Sequence, residues 1–327
     1  MTLDETDRRL VNLVQAEFPL AAEPFAALGL EVGIDAARVI QRIDNLKAKG
    51  VLRYIGPLFD ARSLGYQTTL VAMRVQEHRM EEASQVIGRH PGISHAYQRE
   101  HRLNLWFTLA LPSGIDMGSE VRRLGDVLGA EAVVELPALK LFKLRAYFDA
   151  TGGDMPAPLN EAVVHVSADK PAELSPVDRA VINELQQDLP LVARPFDAMS
   201  AHLGLGTDQF LVDCQAMLRR GIMRRYSAVV RHTSLGLTAN ALVCWSVPLV
   251  MVDSAGRRLA ALGEVSHCYE RRADPQWPYN LYAMMHGRTR EACLDIVAQI
   301  SHQCGLSEYV VLFSSKELKK ARARYLV

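Results

Sequence analysis

Ser94-His95-Ala96-Tyr97-Gln98-Arg99 returns 172 residues later as Ser266-His267-Cys268-Tyr269-Glu270-Arg271, and this recurrence decides how the 327-residue chain is read. Towards the N-terminus, Ser63-Leu64-Gly65 matches Ser234-Leu235-Gly236, Gly50 matches Gly221, Pro24-Phe25 matches Pro195-Phe196, and Pro19-Leu20 matches Pro190-Leu191. All keep a constant offset of 171 that begins with Leu3-Asp4-Glu5-Thr6-Asp7-Arg8 against Leu174-Ser175-Pro176-Val177-Asp178-Arg179. Towards the C-terminus, Asn104-Leu105 matches Asn280-Leu281 at an offset of 176, so the second copy carries extra residues, mainly in one loop. Between the copies, the Gly- and Pro-rich stretch Thr151-Gly152-Gly153-Asp154-Met155-Pro156-Ala157-Pro158 reads as the start of a linker. The chain is an internal duplication, and each copy is one unit.

Each unit has two parts. In the first, apolar residues recur at helical spacing (Leu10, Leu13, Val14; Phe25, Leu28; Val39, Ile40, Ile43, Leu46), and breaks at Pro19 and Gly29–Gly33 divide the run into three helices, as in a winged helix-turn-helix. The second part opens with the β-rich run Thr68-Thr69-Leu70-Val71-Ala72-Met73-Arg74-Val75. A helix, a hairpin from Ile93 to Leu111, another helix and a strand over Val133–Leu144 follow, in βαββαβ, ferredoxin-like order. The second copy repeats this, with its last strand expected over Glu308–Phe313. The fold class expected is α+β: two tandem copies of a winged helix-turn-helix followed by a ferredoxin-like βαββαβ domain. The expected boundaries are 1–65 and 66–150, a linker over 151–173, then 174–236 and 237–327.

Composition narrows the function classes. Lys and Arg total 37 against 37 Asp and Glu, for a formal net charge of +0, and 49% of residues are hydrophobic. That balance argues against a disordered tail and against a polybasic nucleic-acid coat. No apolar run approaches the ~20 residues of a membrane-spanning helix. The acidic start lacks a signal-peptide pattern, and the 5 cysteines (Cys214, Cys244, Cys268, Cys293, Cys304) show no CxxC spacing, so reduced thiols in a cytoplasmic protein are expected. A helix-turn-helix also raises DNA binding. The candidate recognition helix of the first copy, Asp35–Lys49, carries Arg38, Arg42, Lys47 and Lys49. That of the second, Thr207–Leu218, carries Asp208 and Asp213 and has no Lys or Arg before Arg219. Phosphate neutralisation dominates DNA affinity, so this pair reads as a packing and dimerisation element.

The hairpin is the unusual segment and the candidate site for chemistry. Strand alternation puts Tyr97, Arg99 and His101 on one face, with His95 if the strand stays regular, and groups His267, Tyr269 and Arg271 likewise. Imidazole, phenol and guanidinium side by side suit a flat, anionic ligand. A second cluster is Arg231-His232, whose counterparts are Asp60 and Ala61, while His101 has no aligned histidine in the second copy. Each half therefore contributes a histidine that the other lacks, which favours one composite site, or two unlike sites, between the copies. No GxGxxG, phosphate loop, HExxH or GxSxG occurs. Trp245, Trp277 and Met284-Met285 read as packing residues.

A helix-turn-helix followed by βαββαβ resembles the Lrp/AsnC family of regulators. More closely, Tyr97-Gln98-Arg99-Glu100-His101 with Asn104-Leu105-Trp106, Arg231-His232 with Leu235-Gly236 and Ala239-Asn240-Ala241, and Trp277-Pro278-Tyr279-Asn280-Leu281 resemble siroheme decarboxylases, here with the D-type and L-type subunits fused in that order. The resemblance covers nearly the whole chain apart from the linker. It implies removal of two acetate carboxyl groups from siroheme to give didecarboxysiroheme, feeding d-type heme or an alternative heme pathway. No cofactor is implied beyond the iron of the tetrapyrrole substrate. The partners implied are siroheme and related iron tetrapyrroles, with neither functional DNA binding nor a membrane, and with a pseudo-dimer inside the chain and further homo-oligomerisation left open. For a macrocycle bearing carboxylates, Tyr97 and Tyr269 would supply walls and Arg99, Arg231 and Arg271 clamps. His101 and His232 are the candidate proton donors, with axial ligation of the substrate iron as the competing role for either. The alternative class is a ligand-responsive transcriptional regulator of the Lrp/AsnC type; a tetrapyrrole sensor without turnover is a third.

Overall fold

The computed structural model describes residues 3–144, 147–151, 164–165 and 171–327. The first copy contains α1 (Glu5–Ala16), α2 (Pro24–Val32), α3 (Ala36–Ala48), β1 (Leu52–Phe59), β2 (Tyr66–Arg74), α4 (Met80–Arg89), β3 (Ile93–Arg99), β4 (Leu105–Pro112), α5 (Met117–Leu128) and β5 (Ala132–Leu144). A two-residue strand, β6 (Val164–His165), precedes the second copy, and the rest of the expected linker beyond Thr151 lies outside the described residues up to position 171. The second copy contains α6 (Pro176–Leu185), α7 (Pro195–His202), α8 (Thr207–Arg219), β7 (Met223–Val230), β8 (Ala239–Trp245), α9 (Val252–Ala261), β9 (Val265–Arg271), β10 (Leu281–Gly287), α10 (Arg290–Cys304) and β11 (Tyr309–Lys320).

The helix starts are written in the sequence twice. Asp4 caps α1 by accepting from the Asp7 N–H, Ser175 and Asp178 form a capping box on α6, and Pro24 and Pro195 open α2 and α7, where a missing N–H costs nothing. After α2, Gly33 takes φ +76°, the left-handed turn that lets the chain reverse into α3. The two three-helix units do not stand apart. β1 and β7 pair antiparallel, and Phe18, Phe25, Phe196, Phe210 and Tyr226 from both units sit in one shared core.

The βαββαβ parts are joined more closely still. Within the first, β5, β2, β4 and β3 lie in that order; within the second, β11, β8, β10 and β9. Each final strand serves both copies. β5 pairs with β2 through Ala132–Pro137 and with β9 of the second copy through Ala138–Leu144, while β11 pairs with β8 through Tyr309–Phe313 and with β3 through Ser314–Lys320. β11 thus runs seven residues beyond Phe313, the expected end of the strand. Phe142 of β5 consequently packs in the second copy's helix-side core, where a Cβ on Gly256 of α9 would come 2.5 Å from its ring. Helices cover one face of each sheet, and the other two faces meet across Trp106, Trp277, Tyr282, Leu136 and Leu312.

Candidate active site

Where the two sheets face each other, register orders the side chains in layers. On β3, Ala96 points to the helices, so His95, Tyr97 and Arg99 point between the sheets; on β9, Cys268 points to the helices and His267, Tyr269 and Arg271 point inward. The alternation expected from sequence therefore holds for these six residues. It fails for His101. β3 ends at Arg99, whose N–H donates to the carbonyl of Asn104 (2.8 Å), and His101 lies in the turn that follows. There its Nδ1 accepts from the Leu103 N–H (3.1 Å) and its ring meets Trp277 edge-on at 5.2 Å.

The innermost layer is a pair of guanidiniums. Arg99 is 5% exposed and donates from Nη1 to the Leu312 carbonyl (2.8 Å); Arg271 donates from Nη1 to the Leu136 carbonyl (2.8 Å). Each carbonyl belongs to the other copy's final strand. Arg99 lies 5.4 Å from the Tyr97 ring centre and Arg271 lies 4.7 Å from that of Tyr269, close enough for cation–π attraction. Neither forms an ion pair with a carboxylate among the described residues, and Nε of each is buried without a partner. Burial pushes Arg99 down to about 10 and lowers Arg271 as well. It also drives the Tyr97 phenol up to about 12.

The layer nearer the helix-turn-helix units is made of histidines. Ser94 Oγ lies 2.9 Å from His95 Nδ1, and Ser266 Oγ lies 2.8 Å from His267 Nδ1. Ser266 Oγ is also 2.9 Å from Nε2 of His286 on β10. The His286 ring stands 4.8 Å from that of His232, and Phe148 packs against both, at 4.8 and 5.8 Å. Burial lowers all four imidazoles: His95 and His232 to about 4, His267 to about 3, and His286 well below its ordinary value, with Lys320 adding to the effect on each. Lys320, which pairs in register with His95, is itself lowered by burial and by Arg53. Phe148 is held by a bracket, since the Gln15 carboxamide donates to its carbonyl and accepts from its N–H, both at 3.1 Å.

The second copy repeats that bracket with Gln186 and Tyr325, but its surroundings differ. His232 answers to Ala61, His286 to Ala110 and Lys320 to Leu144. Where Arg231 stands in one half, Asp60 is buried in the other against Arg62 and Arg224. Arg231 itself is exposed, its N–H donating to the Val51 carbonyl (2.9 Å). The structure thus gathers Tyr97, Arg99, Tyr269 and Arg271 between the sheets and places His232 in the histidine layer. It sets His101 beyond the opposite end, by Trp277, and leaves Arg231 outside. Four contributors escaped sequence reasoning: Phe148, Ser266, His286 and Lys320. His286 was detectable as the one imidazole in the largely apolar run Leu281–Gly287. Among the described residues no cluster of His, Cys, Asp and Glu suited to a protein-held metal occurs, and no helix is long and apolar enough to cross a membrane.

Two tandem copies of a helix-turn-helix and a βαββαβ domain, enclosing buried cations between their sheets, define a fused pair of Lrp/AsnC-type subunits. Family comparison agrees: residues 63–143 and 234–319 match the AsnC-like ligand binding domain, and residues 7–53 and 178–224 match the siroheme decarboxylase NirDL-like HTH domain. The chain is 34% identical to the siroheme decarboxylase of Hydrogenobacter thermophilus, over 97% of this chain and 94% of that one. It superposes on the crystal structure of the siroheme decarboxylase NirDL with a TM-score of 0.73 at 33% identity, covering 99% of this chain and 95% of that one. A co-complex of NirDL with an iron-uroporphyrin III analogue gives a TM-score of 0.72 at 32% identity, over the same shares. The chain belongs to the siroheme decarboxylase family, and it is a carboxy-lyase.

Proposed function

We propose that the protein removes two acetate carboxyl groups from siroheme to give didecarboxysiroheme, holding the macrocycle between the two βαββαβ sheets. The observation that carries this reading is the pair Arg99 and Arg271, two buried guanidiniums with no carboxylate to meet them among the described residues. An unpaired buried charge costs several kcal/mol, a cost that an anionic ligand placed between the sheets offsets. A tetrapyrrole ringed with carboxylates supplies those anions, Tyr97 and Tyr269 offer flat walls, and the iron is part of the substrate.

The protein's part in the chemistry is to position an acetate arm and to deliver a proton. When the C–C bond of the arm breaks and carbon dioxide leaves, the electron pair stays on the arm carbon, in conjugation with the macrocycle, and a proton closes a new C–H bond. Imidazoles suit that delivery, and they stand at both ends of the Arg99–Arg271 layer: His101 beside Trp277 at one end, and at the other the histidine layer to which His232 and His267 belong. Burial keeps the histidines of that layer neutral in the free protein. The helix-turn-helix units join the halves; Arg42 of α3, a residue that DNA binding would use, is tied to Asp4 (2.8 Å) and Asp7 (2.6 Å).

Anaerobic incubation with siroheme, followed by mass spectrometry of the extracted tetrapyrrole, tests this directly. Loss of two carbon dioxide units is expected. Bound pigment of unchanged mass would leave a tetrapyrrole sensor, and salt-sensitive binding to duplex DNA without pigment binding would return the protein to the regulators.

A further inference from the structure

The two Ser–His pairs, Ser94–His95 and Ser266–His267, occupy matching positions, yet only the second continues. Ser266 Oγ reaches His286 Nε2 at 2.9 Å as well as His267 Nδ1 at 2.8 Å, whereas the first copy has Ala110 in the place of His286. Ser266 Oγ also lies 3.3 Å from the Met284 carbonyl, and turning its single hydrogen from that carbonyl to His267 Nδ1 gives the arrangement that links both rings. Nε2–H of His286 donates to Ser266 Oγ, whose own hydrogen is donated to His267 Nδ1, leaving His267 with Nε2–H. The remaining nitrogen of His286, Nδ1, is buried without a hydrogen-bond partner, and so is Nδ1 of His232, whose ring lies 4.8 Å away. A cavity of about 260 Å³ is lined by Arg8, Asp149, Ser234 and Arg288. Three of these lie within two residues of Phe148, His232 and His286, the side chains that close the cluster.

We propose that His286 and Ser266 form a one-sided proton relay, entered from that cavity past His232, that resupplies His267 for protonation of one decarboxylated arm. This rests on the decarboxylase reading above. Carbon dioxide leaves with both carboxylate oxygens, the electron pair remains on the arm carbon, and Nε2–H of His267 becomes the new C–H. In the same step the Ser266 hydrogen moves to His267 Nδ1, Nε2–H of His286 moves to Ser266 Oγ, and His286 Nδ1 takes up one proton from the cavity side. Both imidazoles exchange tautomers and neither becomes charged, which suits a site where burial opposes the imidazolium and where His232, His267 and Lys320 are the titratable neighbours of His286. The first copy, lacking a counterpart of His286, has no such resupply for His95. His286 and Ser266 act through His267, and no contact of theirs with substrate is needed.

The test is single-turnover decarboxylation of siroheme by wild type, His286→Ala (which installs the first copy's residue), His286→Asn and Ser266→Ala, followed by mass spectrometry. Siroheme binding is read from the Soret band. Each variant is expected to bind siroheme as wild type does, to slow one decarboxylation by roughly tenfold or more, and to accumulate the monodecarboxylated species. Added imidazole is expected to accelerate His286→Ala and not wild type. Wild-type rates in the variants overturn the relay. So does slowing with weakened binding and no imidazole rescue, which marks a packing role. His286→Asn keeps a side chain of similar reach and decides the matter if the alanine variant does not fold. Wild type that leaves siroheme unchanged refutes the decarboxylase reading itself, separately from the relay.

Discussion

Arg99 donates across the boundary between the copies to the carbonyl of Leu312, 2.8 Å away, and Arg271 returns the contact to Leu136 at 2.8 Å. Each half thus anchors the buried cation of the other on its own final strand. With one carbonyl apiece and no carboxylate among the described residues, both guanidiniums are held ready at the expense of the free protein's stability. Arg99→Met is expected to leave the free protein as stable as wild type or about 1–2 kcal/mol more so in urea unfolding, since a buried uncompensated charge is removed. The same variant is expected to weaken siroheme binding at least tenfold by Soret titration. A clear loss of stability with unaltered binding would remove Arg99 from the site.

His101 lies at the far end from the histidine layer, with Nδ1 engaged by the Leu103 N–H and its ring against Trp277. His101→Ala is expected to halt turnover after one carbon dioxide is lost and to accumulate a monodecarboxylated tetrapyrrole in the mass spectrum. Full conversion at the wild-type rate would take His101 out of the reaction. A shifted Soret band in the bound complex would assign it to the iron instead.

The histidine layer sets a pH dependence whose sign follows from burial. His95 and His232 titrate at about 4 and His267 at about 3 in the folded protein, against about 6.5 in the unfolded chain. Below pH 6.5 the unfolded state binds more protons, so the stability these groups contribute is present above that pH and is lost as pH falls towards 4 and then 3. Urea unfolding at pH 7.5, 6 and 5 is expected to show a loss on the order of a few kcal/mol across the series, with a shallower slope for His286→Ala. A flat profile would mean that the imidazoles are solvated.

Because β5 and β11 each pair with both copies, neither copy closes its own sheets. Residues 1–151 and 164–327 produced as separate chains are expected to be poorly folded alone and to combine, on mixing, into a complex with the circular dichroism and siroheme binding of the intact protein. Independent folding of either half would contradict the pairing of Ser314–Lys320 with β3 and of Ala138–Leu144 with β9.

Much of this architecture was legible because it was written twice. The matched helix caps, Pro24 and Pro195, and the shared His-x-Tyr-x-Arg strand fix both units and the inward face of each hairpin. What escaped notice was whatever differs between the copies for the sake of the site. Ser314-Ser315-Lys316-Glu317 reads as the end of a strand because it is polar, yet Glu317 and Lys320 stand in register with Tyr97 and His95, where polar side chains belong between the sheets. His286 hid in an apolar strand whose neighbours are core. His101 was placed on a strand face because the two-residue period says nothing of where β3 stops, and the Arg99–Asn104 hydrogen bond stops it.

The crossing of the final strands also bears on how such a molecule can change over evolutionary time. Two identical chains must carry every residue twice, so a histidine useful on one side is imposed on the other. Joining the chains covalently holds the partner at an effective concentration on the order of millimolar, and it makes every assembled pair one of unlike halves. Mutation can then act on one side only: His286 is the counterpart of Ala110, His232 of Ala61 and Lys320 of Leu144. Shared strands keep the halves inseparable while their interiors drift apart, and drift of that kind lets an asymmetric substrate be met by an asymmetric site.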